Sequence, residues 1–400
     1  MTAELESVDI PSNAVQQIEL QSLLNGLNAS NVEDMAGQIL NSSFIKSSAM
    51  KYELCSELKI IHRIRPLLTP CFSKLIKLLS EKMPRFDVVS HVFEAERPIF
   101  HPDIILMHQC FQDGIISSDF VVNFHKHLLN RTIPFALYFA PYIKYFDDYI
   151  LSKKTCNDDR FQEVFKNYSI YRENDFALLR NYIEYGWKIN SLGFYLKYDD
   201  AENFIYKHND MRIDLNTTLY SPFEHILDGQ TSIINLAALY GSVSIFKYLI
   251  VSYVALPKDL TEFAVIGGNY EIIRICTQSG LDFSSAITAA VEYHRNDILN
   301  WLTVQGIAAS TFYSSVMKDN LLALIYFISQ GFSVDFNENE WSTPLHMAVT
   351  YGSSAVIDFL ISSGCDWKAV DENGWRPLDL ADSEYQKHFI NDCINRELLA

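Results

Sequence analysis

Two short patterns place potential metal ligands or nucleophiles close together: His108-x-Cys110 and His125-x-His127. A metal site needs ligands that converge from two elements, and neither pair has an evident second half along the chain. The seven cysteines, Cys55, Cys71, Cys110, Cys156, Cys276, Cys365 and Cys393, are scattered, with no C-x-x-C among them. An odd, dispersed set reads as reduced core thiols of an intracellular protein and not as a disulfide framework. A cysteine nucleophile paired with one of the eleven histidines is formally available, but closeness on the chain says little about geometry. There is no G-x-x-x-x-G-K-[S/T], no G-x-S-x-G and no H-E-x-x-H, so the phosphate loop, the nucleophile elbow and the zinc helix are missing from the pattern. The expectation is a protein without catalytic residues, metal or cofactor.

Charge narrows the partners. The chain carries a formal net charge of −17 and a pI near 5.0, which argues against nucleic acid or an anionic membrane surface, because phosphate contact needs clustered Lys and Arg. Residues 51–90 run against this trend, with Lys51, Lys59, Arg63, Arg65, Lys74, Lys77, Lys82 and Arg85; a solvated helix face explains them. No apolar run reaches the length that spans a bilayer, and the acidic start MTAELESVDIPSN lacks the apolar segment of a signal peptide. The expected setting is cytoplasmic, with a protein partner, no nucleic acid and no membrane insertion.

What positions these residues is a repeat. Thr343-Pro344-Leu345-His346-Met347-Ala348 is followed, 33 residues after Thr343, by Arg376-Pro377-Leu378-Asp379-Leu380-Ala381. Period and motif agree with the ankyrin signature. The register extends backward through small anchors at Ala237, Ala264, Ala290, Ser315, Ala348 and Ala381. Four places on stand Gly241, Gly268, His294, Asp319, Gly352 and Tyr385; sixteen places on stand Tyr253, Gly280, Gly306, Gly331 and Gly364. Glycine at both places suits the left-handed residue that ends a helix. Between them, apolar pairs such as Ile245/Phe246, Ile272/Ile273 and Val356/Ile357 recur at helical spacing. The anchors lie 27, 26, 25, 33 and 33 residues apart, so the early repeats are short and finger-poor, while fingers precede Ala348 and Ala381.

The runs Ile234-Asn235-Leu236-Ala237-Ala238-Leu239-Tyr240-Gly241-Ser242, Phe263–Asn269 and Ala290–Ile298 resemble the ankyrin-repeat proteins expanded in parasitic protists, notably trichomonads. In that family, ordinary ankyrin repeats adjoin a domain of unassigned function. The resemblance implies a fold and a binding task, and carries over no catalytic residue. It also places a structural histidine at His346, hydrogen-bonding between loops.

The expected fold is therefore all-α: an ankyrin-repeat solenoid over 231–400, of about six repeats with the last as a cap, preceded by a helical N-terminal domain. A disordered acidic tail over 1–13, a helical domain over 14–170, and a degenerate repeat with an irregular connector over 171–230 complete the expected organisation, with Lys197–Leu227 read as loop. Binding residues are sought beside the turns and on the fingers. The place before the fourth-place glycine reads Tyr240, Gly267, Tyr293, Lys318 and Tyr351, and tyrosine offers large contact area at low entropy cost. Glu338, Glu340, Trp341 and Trp375 fall on fingers, and the acidic residues there point to a partner with basic patches. The expected function is a protein–protein adaptor or scaffold. A target-selecting subunit of an enzyme complex, such as a ubiquitin-ligase adaptor, and a self-assembling structural protein are the alternatives.

Overall fold

A computed structural model describes residues 10, 12–93, 103–128, 132–224, 229–302, 309–337, 342–351, 354–381 and 384–399. Of the expected tail over 1–13, residues 1–9 and 11 lie outside them and Ser12 and Asn13 open a helix; Gly306, Glu338, Glu340, Trp341 and Gly352 lie outside them too. Contacts group the chain into two units: residues 1–109 with 287–400, and residues 110–286.

The chain opens with α1 (Ser12–Asn25), α2 (Val32–Asn41), α3 (Ser48–Ile64), α4 (Thr69–Lys82), α5 (Val88–Phe93) and α6 (Ile104–Gln112). The second unit holds α7 (Ser118–His127), α8 (Ile133–Phe139), α9 (Lys144–Leu151), α10 (Gln162–Lys166), α11 (Tyr168–Tyr185), α12 (Leu192–Lys197) and α13 (Ala201–Met211). A two-residue antiparallel pair, β1 (Thr218–Leu219) with β2 (Thr231–Ser232), leads into α14 (Ile233–Tyr240), α15 (Val243–Val251), α16 (Leu260–Gly267) and α17 (Tyr270–Gln278). Then come α18 (Ala286–Glu292), α19 (Asn296–Leu302), α20 (Ala309–Met317), α21 (Leu321–Ser329), α22 (Pro344–Tyr351), α23 (Ser354–Ser362), a 3-10 turn (Pro377–Leu380) and α24 (Glu384–Leu399). The architecture is an all-α repeat solenoid with helices added before it.

The repeat columns have a common geometry. Gly241, Gly268, His294 and Asp319 all adopt positive φ, between 50° and 70°. At three of these turns the anchor's carbonyl accepts the N–H five places on: Ala237 from Ser242, Ala290 from Arg295 and Ser315 from Asn320. The second helices close the same way. Tyr253, Gly280, Gly331 and Gly364 are left-handed, and the next residue bonds back to Leu249, Cys276, Phe327 and Leu360 respectively. These are Schellman closures, and Tyr253 adopts the form despite its side chain.

Side chains tie neighbouring turns together. Asn320 Nδ2 donates to the Val291 carbonyl at 2.9 Å, and Gln386 Nε2 donates to the Val349 carbonyl at 2.8 Å. Asn320 and Gln386 both stand five places after their anchors, as Val291 and Val349 stand one place after theirs. The last repeat is thus in register although its fourth place holds Tyr385. Residues 252–259 and 279–285 connect the early repeats without a finger, whereas 363–376 forms one before the last.

One expectation needs correction. Lys197–Leu227 is not a loop throughout: α12 and α13 form a helix pair that packs on α14 and α15. Asp199, left-handed at φ 51°, stands between the two helices and caps α15 by accepting from Ser244 N and Ile245 N, both at 3.0 Å.

In the first unit, α1 packs on α3 and also on α21 and α23. It covers the outer side of the later repeats. The basic stretch is solvated at Lys74, Lys77 and Lys82, but Arg65 is not part of such a face. Its guanidinium donates to the Asn25 carbonyl at 2.7 Å, and burial beside Arg295 lowers its pKa to about 10.

Candidate binding surface

The two histidine patterns dissolve in the structure. His125 is fully buried among the rings of Phe135, Phe146 and Tyr149, whereas His127 is exposed. Burial pushes His108 down to about 4. No cluster of metal-ligating side chains occurs among the described residues. The thiols are free, and burial raises Cys276 to about 11 and Cys365 and Cys393 to about 12. A thiolate nucleophile needs the opposite displacement.

A constellation that the spacing did not reveal is Thr69–His62–Asp103. His62 Nδ1 meets the Asp103 carboxylate and its Nε2 lies 2.8 Å from Thr69 Oγ1. The Thr69 hydroxyl, however, donates to the Pro66 carbonyl at 2.6 Å. Its proton faces away from the imidazole, and both His62 and Thr69 are buried. The group works as a clamp between α3, α4 and the start of α6. Burial works against the Asp103 charge, but His62 outweighs it and holds the carboxyl below its ordinary value.

A second buried polar group joins α1 and α3 to the repeats. Gln21 Nε2 donates to the Asp319 carbonyl at 2.7 Å and to Glu57 Oε1 at 3.1 Å, while Gln21 Oε1 accepts from Leu321 N at 3.3 Å. The Asp319 carboxyl is close enough to act on Glu57 by its charge. Burial, with Asp319 alongside, pushes Glu57 well above the usual carboxylate range. Glu53, one turn earlier, is raised to about 7 by burial and by Asp358, against Gln17 and Arg396.

The proposed binding residues are distributed as follows. Tyr240, in the second unit, accepts from Trp187 Nε1 at 2.8 Å and hydrogen-bonds Glu224. Its hydroxyl is committed within the chain. In the first unit Tyr293 is half-buried, Lys318 is exposed while its carbonyl bonds His294 Nε2 at 2.8 Å, and Tyr351 is exposed. Trp375 stands on the finger over 363–376, with its indole half exposed.

The backbone of that finger is fixed. Asp371 Oδ1 accepts from Asn373 N and Trp375 N, both at 2.9 Å; Asp371 N donates to the Trp375 carbonyl at 2.9 Å; and Gly374 is left-handed at φ 80°. From the preceding repeat, His346 Nε2 reaches the same Trp375 carbonyl at 2.9 Å, its Nδ1 bonded to Thr343. His346 is therefore structural, and the T-P-L-H spacing positions the finger. Asp371 and Glu372 keep the tip acidic.

Residues 328–381 match the family of ankyrin repeats (many copies). The later repeats are similar to ankyrin repeats. Residues 254–327, where the fingers are missing, match a domain of unknown function (DUF3447). Among curated proteins, the chain is 40% identical over 70 residues to the ARF GTPase-activating protein Git of Drosophila melanogaster, covering 17% of this chain and 10% of that protein. It is 27% identical over 85 residues to human protein phosphatase 1 regulatory subunit 27, covering 21% and 55%. The chain thus spans about a tenth and about half the length of these relatives. Solved structures similar to it include the human ASB11 ankyrin repeat domain, at 16% identity and TM-score 0.39, covering 50% of this chain and 96% of that one. The ankyrin repeat domain of Bcl-3, at 16% identity and TM-score 0.32, covers 50% and 97%. No helix among the described residues is long and apolar enough to cross a membrane.

Proposed function

We propose that this chain is a cytoplasmic adaptor that holds a protein partner against its ankyrin fingers, with no catalytic step of its own. The carrying observation is Trp375: a half-exposed indole on a turn whose backbone is bonded from Asp371 and from His346. A large aromatic presented on a fixed backbone is the anatomy of a binding hot spot. Tyr351 and Lys318 supply further exposed contacts in the same unit, and the tip acids Asp371 and Glu372 suit a partner with a basic patch. The described part of the finger before Ala348 ends short of Glu338, Glu340 and Trp341, which the same reading assigns to the partner.

Affinity capture with the full chain tests it. Trp375→Ala should leave the melting curve in place and weaken capture about thirtyfold, the scale of a hot-spot truncation. Added salt should weaken capture further, since exposed charge pairs are screened. Equal capture by Trp375→Ala and the parent chain would remove the finger from the reading.

A further inference from the structure

The second unit contains a cavity of about 320 Å³ between α10, α11, α12, α13 and the strand segment around Tyr220. That is the lower end of the size of small-molecule sites. Its wall is aromatic: Tyr171, Tyr182, Trp187 and Tyr220. Trp187 is held there by three features. Its ring lies against Gly193, where a Cβ would stand 2.1 Å from the ring carbon Cε3. Its Nε1 donates to Tyr240, and Tyr240 in turn meets Glu224, which pairs with Lys197 at 2.9 Å. Glycine inside a helix is otherwise unfavourable, so α12 gives up local stability to seat this indole.

The Tyr220 hydroxyl is buried and has no hydrogen-bond partner in the protein. Buried polar atoms are rarely left so. Burial raises its pKa, and no water-sized space adjoins the oxygen, so Tyr220 belongs to the wall through its ring. The rim decides the charge of what enters. Arg160, Lys188 and Lys207 line the cavity with Glu163, and Arg160 is held by Asp158 at 2.9 Å, so the two lysines carry the positive excess, within a chain of net charge −17. Lys188 lies 3.7 Å from Glu163 and 5.5 Å above the Tyr182 ring, and Lys207 donates to the Asn190 carbonyl. Each ammonium carries three donors, so these tethers hold the cations at the mouth with donors to spare. An aromatic box for a quaternary ammonium would need the opposite sign at its mouth.

We propose that this cavity binds a small ring-bearing anion, an aryl phosphate, with the ring against Trp187 and Tyr182, and Lys188 and Lys207 facing the phosphate. The site shares no residue with the finger and does not depend on the adaptor reading.

Titration of the full chain with phenyl phosphate, followed by calorimetry and by Trp fluorescence, tests it. Phenol supplies the ring alone and inorganic phosphate the charge alone. Phenyl phosphate should saturate and bind at least tenfold more tightly than either. Lys207→Gln should weaken it about fivefold, leaving phenol unaffected. A phosphotyrosine peptide run in parallel separates two sources of the same chemistry: tighter binding than phenyl phosphate assigns the ring to a modified side chain, weaker binding to a free metabolite. No saturable binding of phenyl phosphate, or equal binding by Lys207→Gln and the parent, overturns the proposal.

Discussion

The outer helices of the repeats come in two kinds. In the second unit, α15 and α17 bury one stripe, Ile245, Phe246 and Leu249 in one and Ile272, Ile273 and Cys276 in the other, and turn Lys247 and Arg274 to water. In the first unit, α21 buries Leu321, Ala323, Leu324, Ile325, Tyr326 and Phe327, and α23 buries Ala355, Val356, Ile357, Phe359, Leu360 and Ile361. No stripe of that width is satisfied by neighbouring repeats alone. A helix that is apolar all round must be covered twice, and α1 supplies the second cover. The difference teaches that the N-terminal helices are a layer of the solenoid's core in that unit and not an appended module.

The sharpest way to break this comparison is Ile325→Ala against Arg274→Ala. Ile325 is fully buried on α21. Its truncation should cost about 2–5 kcal/mol in urea melts, whereas Arg274→Ala on the exposed side of α17 should stay within about 0.5 kcal/mol. Equal small effects would mean that α21 has a wet side after all.

A smaller effect follows from acidity. Glu53 titrates near 7 in the folded chain and Glu57 higher than its ordinary value. Both take up protons on folding, so their contribution is greatest below the unfolded carboxylate range and declines as pH rises. Between pH 5 and pH 8 the first unit should lose about 2 kcal/mol through Glu53, at ~1.4 kcal/mol per unit of displacement. Glu53→Gln should flatten that decline in melts followed against pH. An unchanged slope would show the carboxyl to be solvated.

The smallest expected change is Asp319→Gly, which removes a carboxyl that raises Glu57 and relaxes a left-handed residue. It should stabilise the chain by about 1 kcal/mol at pH 8 and less at pH 5, where Glu57 holds its proton more readily. Destabilisation at both pH values would count against repulsion between Asp319 and Glu57.

Much of this was legible in advance, for a physical reason. Left-handed turns favour glycine, so Gly241, Gly268, Gly280 and Gly364 announced themselves, and the T-P-L-H motif named the histidine that grips the finger. Where a different residue takes the turn, the pattern thins. Asp199 hides the pair α12 and α13, whose second helix buries only Phe204 and leaves Tyr206 and Met211 exposed. The column five places after each anchor, Asn320 and Gln386, carries amides whose partners lie in the preceding repeat, and periodicity is blind to them. The cover by α1 was half written in LLALIYFIS, which has no polar stripe. Which segment would fill the role was not written, because Gln21 and Glu57 look like ordinary surface residues until Asp319 is beside them. The aromatic cavity draws its wall from separate helices, a combination that no spacing encodes.

The bond from Gln21 to Asp319 joins residues 298 positions apart. During synthesis α1 and α3 leave the ribosome first and then wait while the whole second unit is made, before the surface they cover exists. Such long-range closure is slow, and domains otherwise condense in order of emergence. The first unit is therefore the last to complete, and in a stalled chain ending before α21 the helix α1 keeps α3 but lacks the repeats that it packs on.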